Sequence, residues 1–177
     1  MLVQKNNLNN KGFTFIETII YIAIIGTVVA SFVAFSMSIS NSRNKTYVVS
    51  EVQANARIAM DLITQKIRMS SGVNIASSTF DTDPGVLSLS MTSSTLDPTI
   101  IDLTLDNGLL QIKEGANDAV SLVSNNIKIT NLVFKNFTVS STRENIGIEM
   151  TVEYNSNSDD VNFNYLQSLQ TNVNLRR

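Results

Sequence analysis

Glu17 is the only charged residue between Lys11 and Arg43, and a carboxylate in an apolar run is a candidate for recognition or chemistry. Insertion scales put an acidic side chain at about +2.5 to +3.5 kcal/mol at the centre of a membrane helix, and less toward the interface. A nearby cation offsets that cost, so what matters is which cation can reach residue 17. Elsewhere reactive groups are few. Cysteine and histidine are both absent, which removes disulfides, thiolate zinc sites, thiol nucleophiles and the usual general base near neutral pH. Hydroxyls are plentiful, but no histidine exists to activate one. Glu149 and Glu153 share a strand face about 13 Å apart, beyond the roughly 5–9.5 Å of a glycosidase pair. Asn155-Ser156-Asn157-Ser158-Asp159-Asp160 and Asp81-Thr82-Asp83 set oxygen ligands at alternate positions without the glycine and terminal glutamate of a calcium loop. We expect solvated loops there, and neither metal, cofactor nor enzyme activity.

The element that must position Glu17 is an apolar helix. No charge occurs from Thr18 to Ser42, and Phe13 to Ile39 is overwhelmingly apolar. At 1.5 Å per residue this run spans roughly 40 Å, enough to cross a hydrocarbon core of about 30 Å. It is longer than the roughly 7–15 residues of a cleaved signal's apolar region, and no A-x-A site follows it. Gly26, Ala30 and Ala34 recur every four residues, after Ala23. That stripe is either a face on which neighbouring helices approach closely or the ordinary small-residue content of membrane helices. The span has no proline, so no kink is expected. Lys5 and Lys11 precede it while Arg43, Lys45 and Arg57 follow it, so charge counting gives no clear orientation. The Asn-rich downstream sequence favours export of the C-terminal part.

The string Lys11-Gly12-Phe13-Thr14-Phe15-Ile16-Glu17 resembles the processing site of type IV prepilins and type II secretion pseudoprepilins. The resemblance implies cleavage after Gly12 by a prepilin peptidase, N-methylation of the new terminus Phe13, and an assembly role for Glu17. Residues 1–12 would be a leader whose removal takes the formal charge from −2 to −4, since it carries two lysines and no acid. The physical logic fits. Glycine lets a protease approach the scissile backbone closely. The new amine at Phe13 is cationic, and Glu17 lies one helical turn below it. In a bundle of such helices the carboxylate can meet a neighbour's amine, and an ion pair costly to leave half-made would set axial register. Phe15 and Thr18 stand where many members of that family have leucine. A plain signal-anchor whose glutamate snorkels toward headgroups is the alternative.

Helical periodicity continues past Arg43. Val49, Val52, Ala56, Ala59, Ile63 and Ile67 recur at spacings of three and four, among Asn55, Arg57, Asp61, Gln65, Lys66 and Arg68. A nearly continuous helix from about Phe13 to Met69 would be on the order of 85 Å long, with Ser70-Ser71-Gly72 as its stop and Gly72 as C-cap. Read plainly, the apolar stripe is core packing. Asn55-Ala56-Arg57-Ile58-Ala59-Met60-Asp61-Leu62 and Leu169-Gln170-Thr171-Asn172-Val173-Asn174-Leu175-Arg176 resemble strings of W-type minor pilins and J-class minor pseudopilins.

Beyond Gly72 the period changes to two. Val86–Met91 alternates in part, and Ile100–Leu105 with Leu109–Lys113 flank Asp106-Asn107-Gly108 as a hairpin. Ile127–Ile129 and Leu132–Val139 read as strands. Ile146, Ile148, Met150, Val152 and Tyr154 mark one face of another, and Thr171–Leu175 supplies a last strand that closes the sheet. The expectation is an α+β, pilin-like fold: a long N-terminal helix packed on one antiparallel sheet of six to eight strands. Its parts are leader 1–12, transmembrane and assembly helix 13–40, amphipathic continuation 41–71 and β-rich head 72–177.

Thirteen basic against 15 acidic residues provide no field to attract nucleic acid, and contact with it stays open. The resemblance implies a minor pilin or pseudopilin, a non-catalytic subunit of a filament for adhesion, motility, DNA uptake or secretion. Implied partners are the prepilin peptidase, sister subunits, an inner-membrane assembly platform and the lipid bilayer. Implied location is a single pass in the cytoplasmic membrane with the head outside, then filament or cell surface. The alternative is an unprocessed, signal-anchored surface protein with a ligand-binding β head.

Overall fold

The computed structural model describes residues 12–103, 108–139, 144–156 and 163–175. Chain contacts divide it into two compact units, Met1–Ser42 and Arg43–Arg177. Leader residues 1–11, hairpin residues 104–107 and residues 157–160 of the Asn/Asp string lie outside the described residues.

Helix α1 runs from Phe15 to Met69. In the first unit it is apolar and unpacked: every described residue from 12 to 42 is exposed except Glu17, which is half-buried. Two hydroxyls within the apolar run bond back to the helix. Thr27 Oγ1 donates to the Ala23 carbonyl at 2.8 Å, and Ser31 Oγ to the Thr27 carbonyl at 2.8 Å. Such back-bonding removes the cost of carrying a hydroxyl into hydrocarbon.

In the second unit α1 buries Val48, Val52, Ala56, Ala59, Met60, Ile63 and Ile67. Val48 and Met60 were not in the stripe read from sequence, and Val49 is only half-buried. The helix does not end on a left-handed glycine as expected. Ser70 N–H bonds the Lys66 carbonyl at 3.0 Å and its buried hydroxyl bonds the Ile67 carbonyl at 2.7 Å. Those bonds satisfy terminal carbonyls, which frees Gly72 to pair with Ser90 as the first residue of β1.

Eight strands follow: β1 Gly72–Val73, β2 Leu87–Ser90, β3 Thr99–Leu103, β4 Leu110–Glu114, β5 Val120–Ser121, β6 Ile127–Asn136, β7 Asn145–Tyr154 and β8 Leu166–Asn174. They form two antiparallel sheets in sequence order, β1 to β5 and β6 to β8, not the single sheet expected. The break has a visible cause. The edge of β6 that could meet another strand is occupied: Asp81 N–H bonds the Phe134 carbonyl at 2.9 Å, Gly85 N–H bonds the Leu132 carbonyl at 2.7 Å, and Ile129 N–H bonds the Gly108 carbonyl at 2.8 Å. A loop therefore closes the ladder where β5 would have to join.

The expected hairpin pairing is β3–β4, with Leu103 opposite Leu110; Gly108, ahead of β4, is left-handed at φ 60°. Ile127–Ile129 and Leu132 onward prove to be one strand, β6, bulged between Ile129 and Asn131; Val139 lies beyond it, fully exposed. Strand β7 buries Ile146, Ile148, Met150 and Val152 on the face read from sequence. The last strand begins at Leu166, earlier than expected, and sits at a sheet edge beside β7. Residues of α1 and of both sheets form one apolar core that includes Ile63, Leu89, Ile112, Phe134 and Ile148.

Candidate functional site

The start of α1 is built by three side chains at helical spacing. Thr14 immediately precedes the helix; its carbonyl accepts from Thr18 N–H at 3.2 Å, and its hydroxyl accepts from Glu17 N–H at 3.3 Å. That is N-cap geometry, and Thr14-x-x-Glu17 is the capping-box spacing. Glu17 thus stands in the first turn, where the helix dipole favours an anion. One turn on, Tyr21 Oη donates to Glu17 Oε1 at 3.2 Å. The Phe13 and Tyr21 rings meet edge to face, with centroids 6.3 Å apart and planes at 74°. Glu17 is half-buried in otherwise exposed surroundings, with Tyr21 bonded to its carboxylate and Phe13 folded over that same tyrosine.

The sequence reading singled out Gly12, Phe13 and Glu17 but missed Thr14 and Tyr21. Both were signalled, one by the S/T-x-x-E pattern and the other by its i, i+4 relation to Glu17. Gly12 is exposed, and a Cβ added there would meet nothing within 4 Å. Gly26, Ala30 and Ala34 are exposed on α1, and a Cβ at Gly26 likewise meets nothing.

The other candidate residues are used structurally. Glu149 accepts from Lys135 Nζ at 2.5 Å and from Gln170 Nε2 at 2.9 Å, while Glu153 lies 3.9 Å from Lys128 Nζ. Asp83 Oδ1 accepts from Leu132 N–H at 2.9 Å, which anchors the loop that closes β6. Ser42-Arg43-Asn44-Lys45 has Ser-x-x-Lys spacing, unnoticed in the sequence reading, but it lies on the exposed surface of α1 with no enclosing site. Among the described residues no group of three or more acidic side chains is placed to hold a metal.

Residues 7–33 match the family model described as the prokaryotic N-terminal methylation motif. The chain carries a prokaryotic N-terminal methylation motif. The match covers Gly12, Phe13 and Glu17 and the apolar helix behind them as far as residue 33. With a helix long and apolar enough to cross a membrane, the motif supports a type IV pilin-like, membrane-anchored subunit of a family that is structural in general. No curated protein and no solved structure matches the chain.

Proposed function

We propose that the chain is a minor pilin or minor pseudopilin, cleaved after Gly12, methylated on the Phe13 amine and assembled with sister subunits into a type IV pilus-like filament. The match of residues 7–33 to the N-terminal methylation motif carries this reading. The strings 55–62 and 169–176 favour a minor subunit. Before assembly the chain is held in the cytoplasmic membrane by one pass of residues 13–40, with the β-rich head on the outer side.

Cleavage creates an ammonium at Phe13, one turn ahead of Glu17. In the monomer Tyr21 donates to that carboxylate, a bond from an uncharged donor that keeps it from standing unsatisfied near lipid. In a filament the amine of an adjacent subunit replaces or joins the tyrosine, so that donor as well as acceptor is charged and a Coulomb attraction adds to the hydrogen bond. The difference fixes the axial position of each new subunit. Gly26, Ala30 and Ala34 then provide the face on which neighbouring helices approach.

Gly12→Leu tests the processing step. The space around residue 12 is open, so the fold tolerates the side chain while the peptidase meets it at the scissile bond. In cells with active prepilin peptidase the variant should accumulate at full length while the parent chain is shortened. A variant trimmed as fast as the parent would overturn the assignment of Gly12.

A further inference from the structure

We propose that β8 is an acceptor edge, onto which an extended, uncharged segment of a different polypeptide adds as a fourth strand of the β6–β7–β8 sheet. The proposal is independent of N-terminal processing. It starts from the parity of the ladder. Leu175 N–H donates to the Glu144 carbonyl at 3.0 Å, and Tyr154 N–H donates to the Tyr165 carbonyl at 3.3 Å. With Val173 opposite Ile146 and Leu169 opposite Met150, residues 167, 169, 171 and 173 turn their backbone groups toward β7. Antiparallel pairing alternates, so Leu166, Ser168, Gln170, Asn172 and Asn174 turn theirs away. All five are exposed, and among the described residues nothing bonds those outward N–H and C=O groups.

The other sheet edges are closed. β1 and β5 are two residues each. β6 carries Lys128, Lys135 and a bulge, and its outward groups are taken by Asp81, Asp83, Gly85 and Gly108. Those are the usual defences of an edge: brevity, lysine, bulges and cover. β8 has none of them. It runs nine residues in unbroken register, with no charge and no proline.

Geometry argues against a second copy as the occupant. An antiparallel β8–β8 pair has its two-fold axis normal to the sheet, which reverses any helix packed along that sheet. Two copies rooted in one membrane run α1 in the same direction. A side-by-side copy would need a second free edge, and among the described residues only β8 offers more than two residues. The donor is therefore a free segment of another chain, and main-chain bonds supply most of its affinity. Its chemistry follows from the neighbours it would meet. One face adjoins half-buried Leu169 and buried Val173 and wants apolar side chains; the other adjoins Ser168, Gln170 and Asn172. The nearby carboxylates Glu149 and Glu153 already have lysine partners, so a charged donor strand would find no counter-ion.

The test uses the full chain in detergent micelles and a labelled nine-residue peptide of alternating valine and threonine. The peptide should bind and slow amide exchange at residues 166, 168, 170, 172 and 174 by at least about tenfold, leaving the β7-facing amides unchanged. Gln170→Pro removes an outward N–H that the fold does not use, and should weaken binding at least roughly tenfold. Gln170→Ala keeps that N–H and should bind like the parent. No binding at millimolar peptide, or equal binding by the proline variant, would overturn the proposal. Self-association in micelles that Gln170→Pro abolishes would overturn it too, by making a second copy the occupant.

Discussion

The Thr14 hydroxyl accepts a hydrogen bond from the Glu17 backbone N–H at 3.3 Å, so the helix starts inside the methylation motif itself. The residue that would answer a neighbour's amine is also the third residue of its own helix. Its position is fixed by a cap before any partner arrives. Thr14→Ala should cost the helix start about 1 kcal/mol. Amide exchange at Phe15, Ile16 and Glu17 in micelles should quicken while exchange near Ala30 stays the same. Unchanged exchange in the first turn would show that the cap contributes nothing.

Glu17→Gln keeps size and hydrogen bonding but loses the charge. Processing should continue, since the peptidase acts at Gly12, while incorporation into filaments falls well below that of the parent. Quantifying the variant in sheared filaments against the membrane fraction measures this. Equal incorporation would show that the carboxylate does not set register.

Ile63 is fully buried on α1, whereas Ile58, about 1.4 turns earlier, is 52% exposed. Ile63→Ala should destabilise the head by roughly 2–5 kcal/mol through lost burial and a residual cavity. Ile58→Ala should stay within about 0.5 kcal/mol. Urea unfolding of both variants in the same detergent gives the comparison, and similar midpoints would contradict the packing described.

Gly115 has φ 56°, and a Cβ there would lie 2.3 Å from the Thr95 carbonyl oxygen. Gly115→Ala should therefore cost about 1–3 kcal/mol from the left-handed backbone alone. By contrast the Lys66–Glu114 ion pair is partly exposed and should contribute under about 1 kcal/mol in a double-mutant cycle. Thermal unfolding of the set orders the two effects, and the reverse order would refute it.

Where one local pattern determines an element, the sequence was enough. The stripe Val52, Ala56, Ala59, Ile63, Ile67 and the alternation of Ile146 to Val152 were both legible, because burial at period 3.6 or 2 is written directly into residue order. So was the pairing of β3 with β4. The division into two sheets was not. It depends on backbone groups of Asp81 and Gly85 bonding β6, and backbone bonding leaves no trace in side-chain periodicity. The helix end misled for a related reason: a buried serine hydroxyl did the work for which glycine is the usual signal. At the candidate site, Gly12, Phe13 and Glu17 stood out by type and spacing. Thr14 and Tyr21 matter through hydrogen bonds to Glu17, and their spacing was noticeable only once Glu17 was considered as a bonded group.

The central claim is that a peptidase frees the Phe13 amine for use next to Glu17. Intact mass of the chain, isolated from cells with active prepilin peptidase, reads this directly. The account predicts a polypeptide that lacks Met1–Gly12 and carries one added methyl on Phe13. A membrane-bound chain that retains Met1 and Lys11 in those cells would contradict it.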